Sequence, residues 1–134
     1  LTWVNYVAGY RHFAWGSPTG HPDEGGYWLS TNGMLQRWNG LVYAVSDWFG
    51  ALRFDPLAMM PEGTRSARQM TDFWIDRLLG RPLADAAARE RLERYLLAWG
   101  NDPDAPPVGD TDNQRGRLRQ LVALIGMTPD FQWR

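Results

Sequence analysis

Residues 30–52 read STNGMLQRWNGLVYAVSDWFGAL, and apolar side chains recur through this stretch at steps of three or four residues. That spacing is typical of an amphipathic helix, because it places the apolar groups on one face. Ser30 stands where an N-cap accepts a backbone N–H group, and Leu29 and Met34 have the spacing of a hydrophobic staple. The apolar face would carry Met34, Trp38, Leu41, Val45, Trp48 and Leu52. A helix of about 20 residues is about 30 Å long, the width of a small domain, so we expect the central helix of the fold here.

Three further amphipathic segments follow this one. They are expected between Thr64 and Gly80, between Pro82 and Gly100, and from about Asp112 to Ile125, ahead of a short final turn with Thr128 as cap and Pro129 at its start. Their predicted apolar faces are Ala67, Met70, Trp74, Leu78 and Leu79, then Ala88, Leu92, Tyr95, Leu96 and Trp99, then Leu118, Leu121, Val122 and Ile125. No segment alternates with a period of two residues for long enough to need a strand. The sequence predicts an all-α fold, an irregular helical bundle of four main helices with long loops, forming a single domain over residues 1–134.

Segments rich in Gly, Pro and Asp separate the helices. The run GSPTGHPDEGG at residues 16–26 concentrates turn-forming residues and is expected to be a loop. Residues 53–63 contain two prolines and are expected to connect two helices across the surface. Residues 1–15 are apolar without a clean period, and part of them is expected to form a short helix.

The composition limits the classes of partner. Of the 134 residues, 44% are hydrophobic, which is too many for a disordered chain, and no apolar run approaches the ~20 residues of a membrane span. A soluble chain without a membrane span is therefore expected. The net charge is −1, so excess positive charge for a phosphate backbone is lacking, and we expect no nucleic-acid partner.

Several kinds of catalysis are excluded within the chain. All 14 basic side chains are arginine, which excludes a lysine Schiff base or a lysine general base, and the absence of cysteine excludes thiol nucleophiles and disulfides. The sequence contains neither a Gly-x-Ser-x-Gly nucleophile motif nor a phosphate-binding loop. No cofactor is predicted.

One loop combines groups that can carry chemistry. His21, Asp23 and Glu24 place an imidazole and two carboxylates together, followed by Tyr27 and Trp28. These groups can hold a metal or act as an acid and base pair. The structural alternative is that Asp23 accepts backbone amides and shapes the turn, while His21 caps or packs. We name residues 21–24 the His21–Glu24 loop.

Four aspartates form a second candidate site. Asp102, Asp104, Asp110 and Asp112 can supply oxygen ligands to calcium, although their spacing departs from the EF-hand pattern and two prolines interrupt it. The alternative is a solvated loop whose last aspartate, Asp112, caps the following helix.

Eight tryptophans in 134 residues give a third candidate, since exposed tryptophans can bind sugars or apolar ligands. Four of them fall on predicted apolar helix faces and are expected in the core: Trp38, Trp48, Trp74 and Trp99. Trp3, Trp15, Trp28 and Trp133 are less constrained. They can form a groove or pack against a part of the protein upstream of Leu1.

The run SPTGHPDEGGYWLSTNGMLQRWN resembles a stretch near the C-terminal end of the bacterial DUF1800 family, in which a Pro-Asp turn and a tryptophan precede a Leu-x-Arg-Trp/Leu-Asn helix. The residues that carry the resemblance are Gly20, His21, Pro22, Asp23, Trp28, Leu29, Ser30, Leu35, Arg37, Trp38 and Asn39. Residues 118–133 are similar to the end of that family, and the resemblance covers about residues 10–134. His21 replaces the aromatic residue that is usual in the family's turn.

The resemblance implies a longer helical polypeptide of which this chain is the C-terminal part. It further implies export in Gram-negative bacteria, hence a periplasmic or extracellular location, and a gene beside one for a DUF1501-type protein. The expected partners are the upstream part of the same polypeptide and that DUF1501-type protein.

Three functions remain open at this point. The first is a non-catalytic structural or interaction domain of an exported DUF1800-like protein. The second is part of an enzyme with its site at the His21–Glu24 loop. The third is a module that binds carbohydrate or apolar ligands through Trp15, Tyr27 and Trp28. Whether the chain is an enzyme is left undecided by the sequence.

Overall fold

The structure, a computed structural model, describes residue 26 and residues 30–46 and 54–133. In these ranges it contains five helices and no strand, which confirms the prediction of an all-α bundle. The helices are Thr31–Val45 (α1), Ala67–Leu79 (α2), Ala86–Leu96 (α3), Thr111–Gly126 (α4) and Pro129–Gln132 (α5). The chain divides into two compact units, residues 1–41 and residues 42–134. The single domain expected over residues 1–134 stays a prediction.

Helix α1 begins where the sequence predicts and ends earlier. The Ser30 hydroxyl accepts the Gly33 N–H group at 3.2 Å, as an N-cap does. The helix ends at Val45, so the prediction of about 20 helical residues is wrong, and Trp48 and Leu52 lie outside the described residues. Of the residues of α1, only Gly40 is buried. The spacing correctly shows that one face of α1 is apolar, but it does not show what covers that face.

The prediction that Trp38 of α1 packs in the core is therefore wrong. Its side chain is 36% exposed. The expected central position of this helix stays a prediction, since most of the helix belongs to the unit of residues 1–41 and the buried hydrophobic cluster belongs to the other unit. A long apolar period predicts a helix well, whereas the degree of burial depends on neighbouring elements that the period does not contain.

The core of residues 42–134 lies among α2, α3 and α4, and α5 packs against α2 and α4. The largest fully buried side chains of this core are Trp74, Leu96, Leu118, Leu121, Ile125, Thr71 and Pro56. The predicted burial of Trp74, Leu96 and Leu121 is confirmed. Full burial of one leucine side chain contributes about 1.5–3 kcal/mol, so these contacts are the main stabilising term of the bundle.

Trp74 connects the helices to the segment that precedes α2. Its ring makes edge contacts with Phe54 and Phe73, at centroid distances of 5.7 and 5.3 Å. Pro56 is buried as well, so the connection predicted to cross the surface lies partly in the core. The Trp74 Nε1 group has no hydrogen-bond partner in the described part of the chain. Its burial costs about 1–3 kcal/mol, which the packing of the ring must offset.

Each backbone N–H group in the first turn of α2 has a hydrogen-bond acceptor. Ser66 is the N-cap, and its hydroxyl and the Gln69 side chain form a reciprocal capping box. The next two N–H groups donate to loop carbonyls, Ala67 to Ala105 at 2.9 Å and Arg68 to Pro103 at 3.0 Å. The prediction that Thr64 caps this helix is wrong. The cap sits two residues later, where a glutamine three positions on completes the box.

The C-terminal end of α3 carries a strained turn. The helix ends at Leu96, and both Ala98 and Trp99 have left-handed backbones, with φ of 48° and 71°. The Trp99 N–H group donates to Arg94 and the Ala98 N–H group to Tyr95, which is the hydrogen-bond pattern of a Schellman motif. This turn directs Trp99 outward, and it is 66% exposed. Its predicted burial is wrong because the helical period stops before it.

The remaining helix ends agree more closely with the sequence. Gly80 follows α2 with a φ of 65°, and Thr128 is the N-cap of α5 with Pro129 in its first turn. Asp130 of α5 forms an ion pair with Arg81 at 3.2 Å, and its carboxylate accepts the Ala84 N–H group at 3.3 Å. In the described ranges, each helix is too short or too polar to cross a bilayer.

Replacing Ser66 with alanine removes the cap of α2 and leaves the Gln69 N–H group without its acceptor. We expect the Ser66→Ala change to lower the free energy of unfolding by about 1 kcal/mol in urea titrations followed by circular dichroism. The Thr64→Ala change is the matched control and should alter it by less than about 0.5 kcal/mol. Equal losses in the two variants would contradict this assignment of the cap.

The strained turn after α3 predicts a stabilising substitution. Glycine adopts a positive φ without the steric cost that alanine carries, so Ala98→Gly should raise the free energy of unfolding by about 1 kcal/mol. The same change at exposed Ala87, within α3, should lower it by up to about 1 kcal/mol. Urea titration of both variants measures the sign of the change in the free energy of unfolding. A destabilised Ala98→Gly protein would show that the backbone at Ala98 is not strained.

Candidate functional site

The His21–Glu24 loop and its neighbouring aromatics lie outside the described residues. This holds for His21, Asp23, Glu24, Tyr27, Trp28 and Trp15. Their roles as ligand, catalytic or sugar-binding groups stay predictions.

Two of the predicted calcium ligands have local partners in the loop before α4. The Asp102 carboxylate accepts the backbone N–H group of Asp104 at 3.0 Å, which shapes a turn. The Asp104 carboxylate pairs with Arg68 of α2 at 3.4 Å. Asp102 therefore shapes the loop itself, and Asp104 ties the loop to the start of α2.

The other two belong to the first turn of α4. Asp110 is the N-cap and accepts the Asn113 N–H group at 2.9 Å, so the predicted capping role of Asp112 is wrong. Asp112 instead pairs with Arg115 at 3.1 Å. In the ranges that the structure describes, no three acidic or histidine side chains come together as a metal site.

The described chain contains a concave cleft of about 480 Å³ beside α4. We name it the α4 cleft. It is lined by Val42, Val45, Ser46, Tyr95, Gly116, Arg119, Gln120, Ala123, Leu124 and Met127. All of these residues belong to the unit of residues 42–134. Its volume falls in the range of about 300–1,000 Å³ that is usual for ligand sites.

The period of α4 builds one wall of the cleft. Gly116, Gln120, Ala123 and Met127 recur at steps of three or four residues and share one face. The core face of α4, with Leu118, Leu121 and Ile125, lies on another side of the helix. The run LVALIGM at residues 121–127 is thus apolar over more than one face. This width is a sequence signal of a second apolar surface on α4, but it does not distinguish a cleft from a helix that is buried on all sides.

Gly116 leaves one part of the cleft open. A Cβ atom built at this position meets no atom within 4 Å. The helix would tolerate a larger residue here and would gain stability from it, because glycine is the poorest helix former after proline. A side chain at position 116 therefore provides a way to fill the cleft.

Tyr95 of α3 forms a polar part of the lining beside Gln120 of α4. Its hydroxyl donates to the Gln120 side-chain oxygen of α4. The Arg117 guanidinium lies 5.9 Å from the centre of the Tyr95 ring and donates to the Tyr95 carbonyl at 3.1 Å. Burial raises the pKa of the Tyr95 hydroxyl above its usual value of 10.0, and the positive charge of Arg117 partly opposes this rise.

The Tyr95 hydroxyl is suited to hydrogen bonding more than to proton transfer. It belongs to the described lining of the cleft, and its raised pKa keeps it protonated near neutral pH. General acid and base catalysis works best with groups that titrate near the working pH, and burial shifts the pKa of this hydroxyl away from it.

Comparison with known families identifies the chain. The model of the family described as "Protein of unknown function (DUF1800)" matches residues 2–133. This chain belongs to the DUF1800 family. The family resemblance predicted from the sequence is thereby confirmed. No curated protein and no solved structure matches the chain.

The α4 cleft of this DUF1800 chain is formed by residues that follow the run SPTGHPDEGGYWLSTNGMLQRWN. Its lining begins at Val42, three residues after Asn39. The family match supplies membership and no activity, so the chemistry of the site has to be argued from its geometry.

The raised pKa of Tyr95 predicts how stability depends on pH. Because the fold favours the neutral hydroxyl, its contribution is fully present below the unfolded pKa of about 10 and is lost as the pH rises through the folded pKa. Urea titrations between pH 9 and pH 11.5 should show a fall in the free energy of unfolding that is shallower for the Tyr95→Phe variant. The Tyr43→Phe variant is the control, and an equal flattening in both variants would count against the assignment.

Proposed function

We propose that this DUF1800 chain is a non-catalytic interaction domain, and that the α4 cleft receives an apolar part of a partner protein. The single observation that carries the proposal is the open apolar cleft along α4. The partners expected from the family resemblance are the upstream part of the same polypeptide and a DUF1501-type protein, in a periplasmic or extracellular location in bacteria. Those finer statements rest on the resemblance alone.

The balance of polar and apolar groups supports a binding role. Val42, Val45, Leu124 and Met127 provide apolar surface, and Val42 is 44% exposed. Removing apolar surface from water contributes about 25 cal/mol per Å², so a partner side chain placed against these residues gains affinity without any reaction. The polar groups of the lining then fix the orientation of the bound partner segment.

The rigidity of the surrounding helices supports the same role. The wall contributed by α4 stands on a fully buried stripe that includes Leu118, Leu121 and Ile125. Arg119 lines the cleft and donates through Nε to the Phe54 carbonyl at 3.0 Å, which ties α4 to the turn before α2. A preformed cleft loses little conformational entropy on binding, which favours affinity.

The test uses a neutral apolar peptide and nuclear magnetic resonance. The blocked peptide acetyl-Leu-Gln-Leu-Leu-Gln-Leu-amide, at about 1 mM, detects binding of about −4 kcal/mol or stronger. We expect it to shift the backbone amide signals of Gly116, Ala123 and Leu124. In the Gly116→Leu variant the leucine fills the cleft, and the Kd fitted from the Ala123 and Leu124 shifts should rise at least about tenfold, which corresponds to about 1.4 kcal/mol.

Two controls separate filling of the cleft from loss of fold. The Glu90→Leu variant adds the same side chain at an exposed position of α3 outside the cleft and should bind the peptide as the unmodified chain does. The melting temperature of Gly116→Leu should be equal or higher, since glycine is replaced in a helix. Unchanged peptide shifts in a folded Gly116→Leu protein, or no shifts in the unmodified chain, would rule out the proposal.

A further inference from the structure

We infer that the partner segment of the α4 cleft carries a carboxylate next to its apolar side chain, so that it is an acidic and apolar peptide segment. This inference rests on the proposed function and adds the charge of the partner to it. It follows from three features: the free hydrogen-bond donors of Gln120, the position of Arg117 against Tyr95 just outside the lining, and the absence of acidic residues from the described lining.

The hydrogen bond between Tyr95 and Gln120 leaves hydrogen-bond donors in excess in the lining of the cleft. The Tyr95 hydroxyl donates to the Gln120 side-chain oxygen, so the acceptor of the Gln120 amide is in use. Its NH₂ group keeps two donors, and Gln120 is exposed. A ligand that supplies acceptors, such as a carboxylate, therefore matches this wall better than a ligand that supplies donors.

Arg117 adds a fixed positive charge beside the same wall. One of its terminal nitrogens donates to the Tyr95 carbonyl, while the guanidinium lies against the Tyr95 ring. Arg117 makes no ion pair in the part of the chain that the structure describes, although five other arginines there do: Arg68, Arg81, Arg89, Arg91 and Arg115. Its remaining N–H groups can donate to a planar acceptor such as a carboxylate. Because the side chain is already held in place, little entropy is lost when a carboxylate binds.

Negative charge is absent from the described lining of the α4 cleft. No acidic side chain is among those residues, and the arginine among them is Arg119. Glu93, two residues before Tyr95 on α3, forms an ion pair with Arg89 at 2.7 Å. Arg94 lies over the exposed Trp99 ring at 6.0 Å and adds a further positive charge at this end of α3. The described side chains therefore favour an anionic partner over a cationic one.

The experiment compares three peptides that differ only in charge. They are acetyl-Leu-Glu-Leu-Leu-Glu-Leu-amide, its glutamine counterpart and its lysine counterpart, titrated at pH 7 and about 20 mM salt with the amide signals of the cleft as readout. We expect the glutamate peptide to bind about three- to fivefold more tightly than the glutamine peptide, the size of a partly exposed ion pair, and the lysine peptide to bind most weakly. Raising the salt to about 0.5 M should remove most of the difference.

Two arginine variants identify the group responsible. Arg117→Gln, which removes the charge beside the lining residue Tyr95, should reduce the preference for glutamate over glutamine to nearly onefold. Arg77→Gln, the same change on α2, which contributes no residue to the described lining, should leave it intact. If Arg117 served only to hold Tyr95, its loss would weaken both peptides equally, and the ratio would not change. That result would overturn the inference.

The remaining outcomes distinguish the inference from the proposed function. If the glutamine and glutamate peptides bind equally, the charge preference is wrong while the interaction role stands. If neither peptide shifts the cleft signals, both fail together. Octanoate serves as the small-molecule comparison: should it compete for the cleft as strongly as the glutamate peptide at equal concentration, the occupant is a small apolar carboxylate, and the assignment to a protein segment is wrong.

Discussion

The bundle depends on α4 being apolar over more than one face. Leu118, Leu121 and Ile125 are fully buried against α2 and α3, and this stripe fixes the position of the helix. Because the helix has 3.6 residues per turn, the side chains between these positions must point elsewhere, and several of them are also apolar. Ala123, Leu124 and Met127 therefore line a cleft. The same helix stabilises the fold and presents the surface that we propose for binding.

Polar contacts then set the positions of the elements around α4. Arg115 and Arg119 reach the segment before α2, through the Asp55 carboxylate at 3.1 Å and the Phe54 carbonyl at 3.0 Å. Exposed ion pairs contribute little free energy, so these contacts act mainly by fixing the register of the turn on α4. The large free-energy term comes from the buried apolar side chains, including Trp74, whose ring packs against the partly buried rings of Phe54 and Phe73.

The sequence predicted the parts of the fold that local chemistry determines. Helices α2 and α4 and the buried positions Trp74, Leu96 and Leu121 follow from apolar spacing, and Gly80 ends α2 because it adopts a positive φ. Family membership followed from a run of residues around Pro22 and Asp23, which lie outside the described ranges.

The two errors in the helix caps share one physical origin, which is competition between neighbouring candidate residues. Ser66 rather than Thr64 caps α2, since Gln69 completes its box, and Asp110 rather than Asp112 caps α4. Trp99 fits the apolar period of α3, but two left-handed residues break the helix before the period reaches it.

The α4 cleft could not be derived from the sequence for a different reason. It is formed by the end of α1, the last turn of α3 and one face of α4, which are far apart along the chain. A motif search examines neighbours in sequence, and a single residue such as Tyr95 carries no sign there of the Gln120 amide that it contacts. The apolar width of residues 121–127 was visible, but it is equally compatible with a helix buried on all sides.

The loop that follows α3 behaves as part of α2. Its carbonyls at Pro103 and Ala105 accept the first two N–H groups of that helix, and Arg68 holds Asp104 from the same turn. Detaching the loop would leave those amides exposed, so the loop and the beginning of α2 should open as one cooperative unit in local unfolding. A stretch rich in Pro and Asp, which composition alone suggests is a mere tether, thereby shares the protection of the helix that it covers.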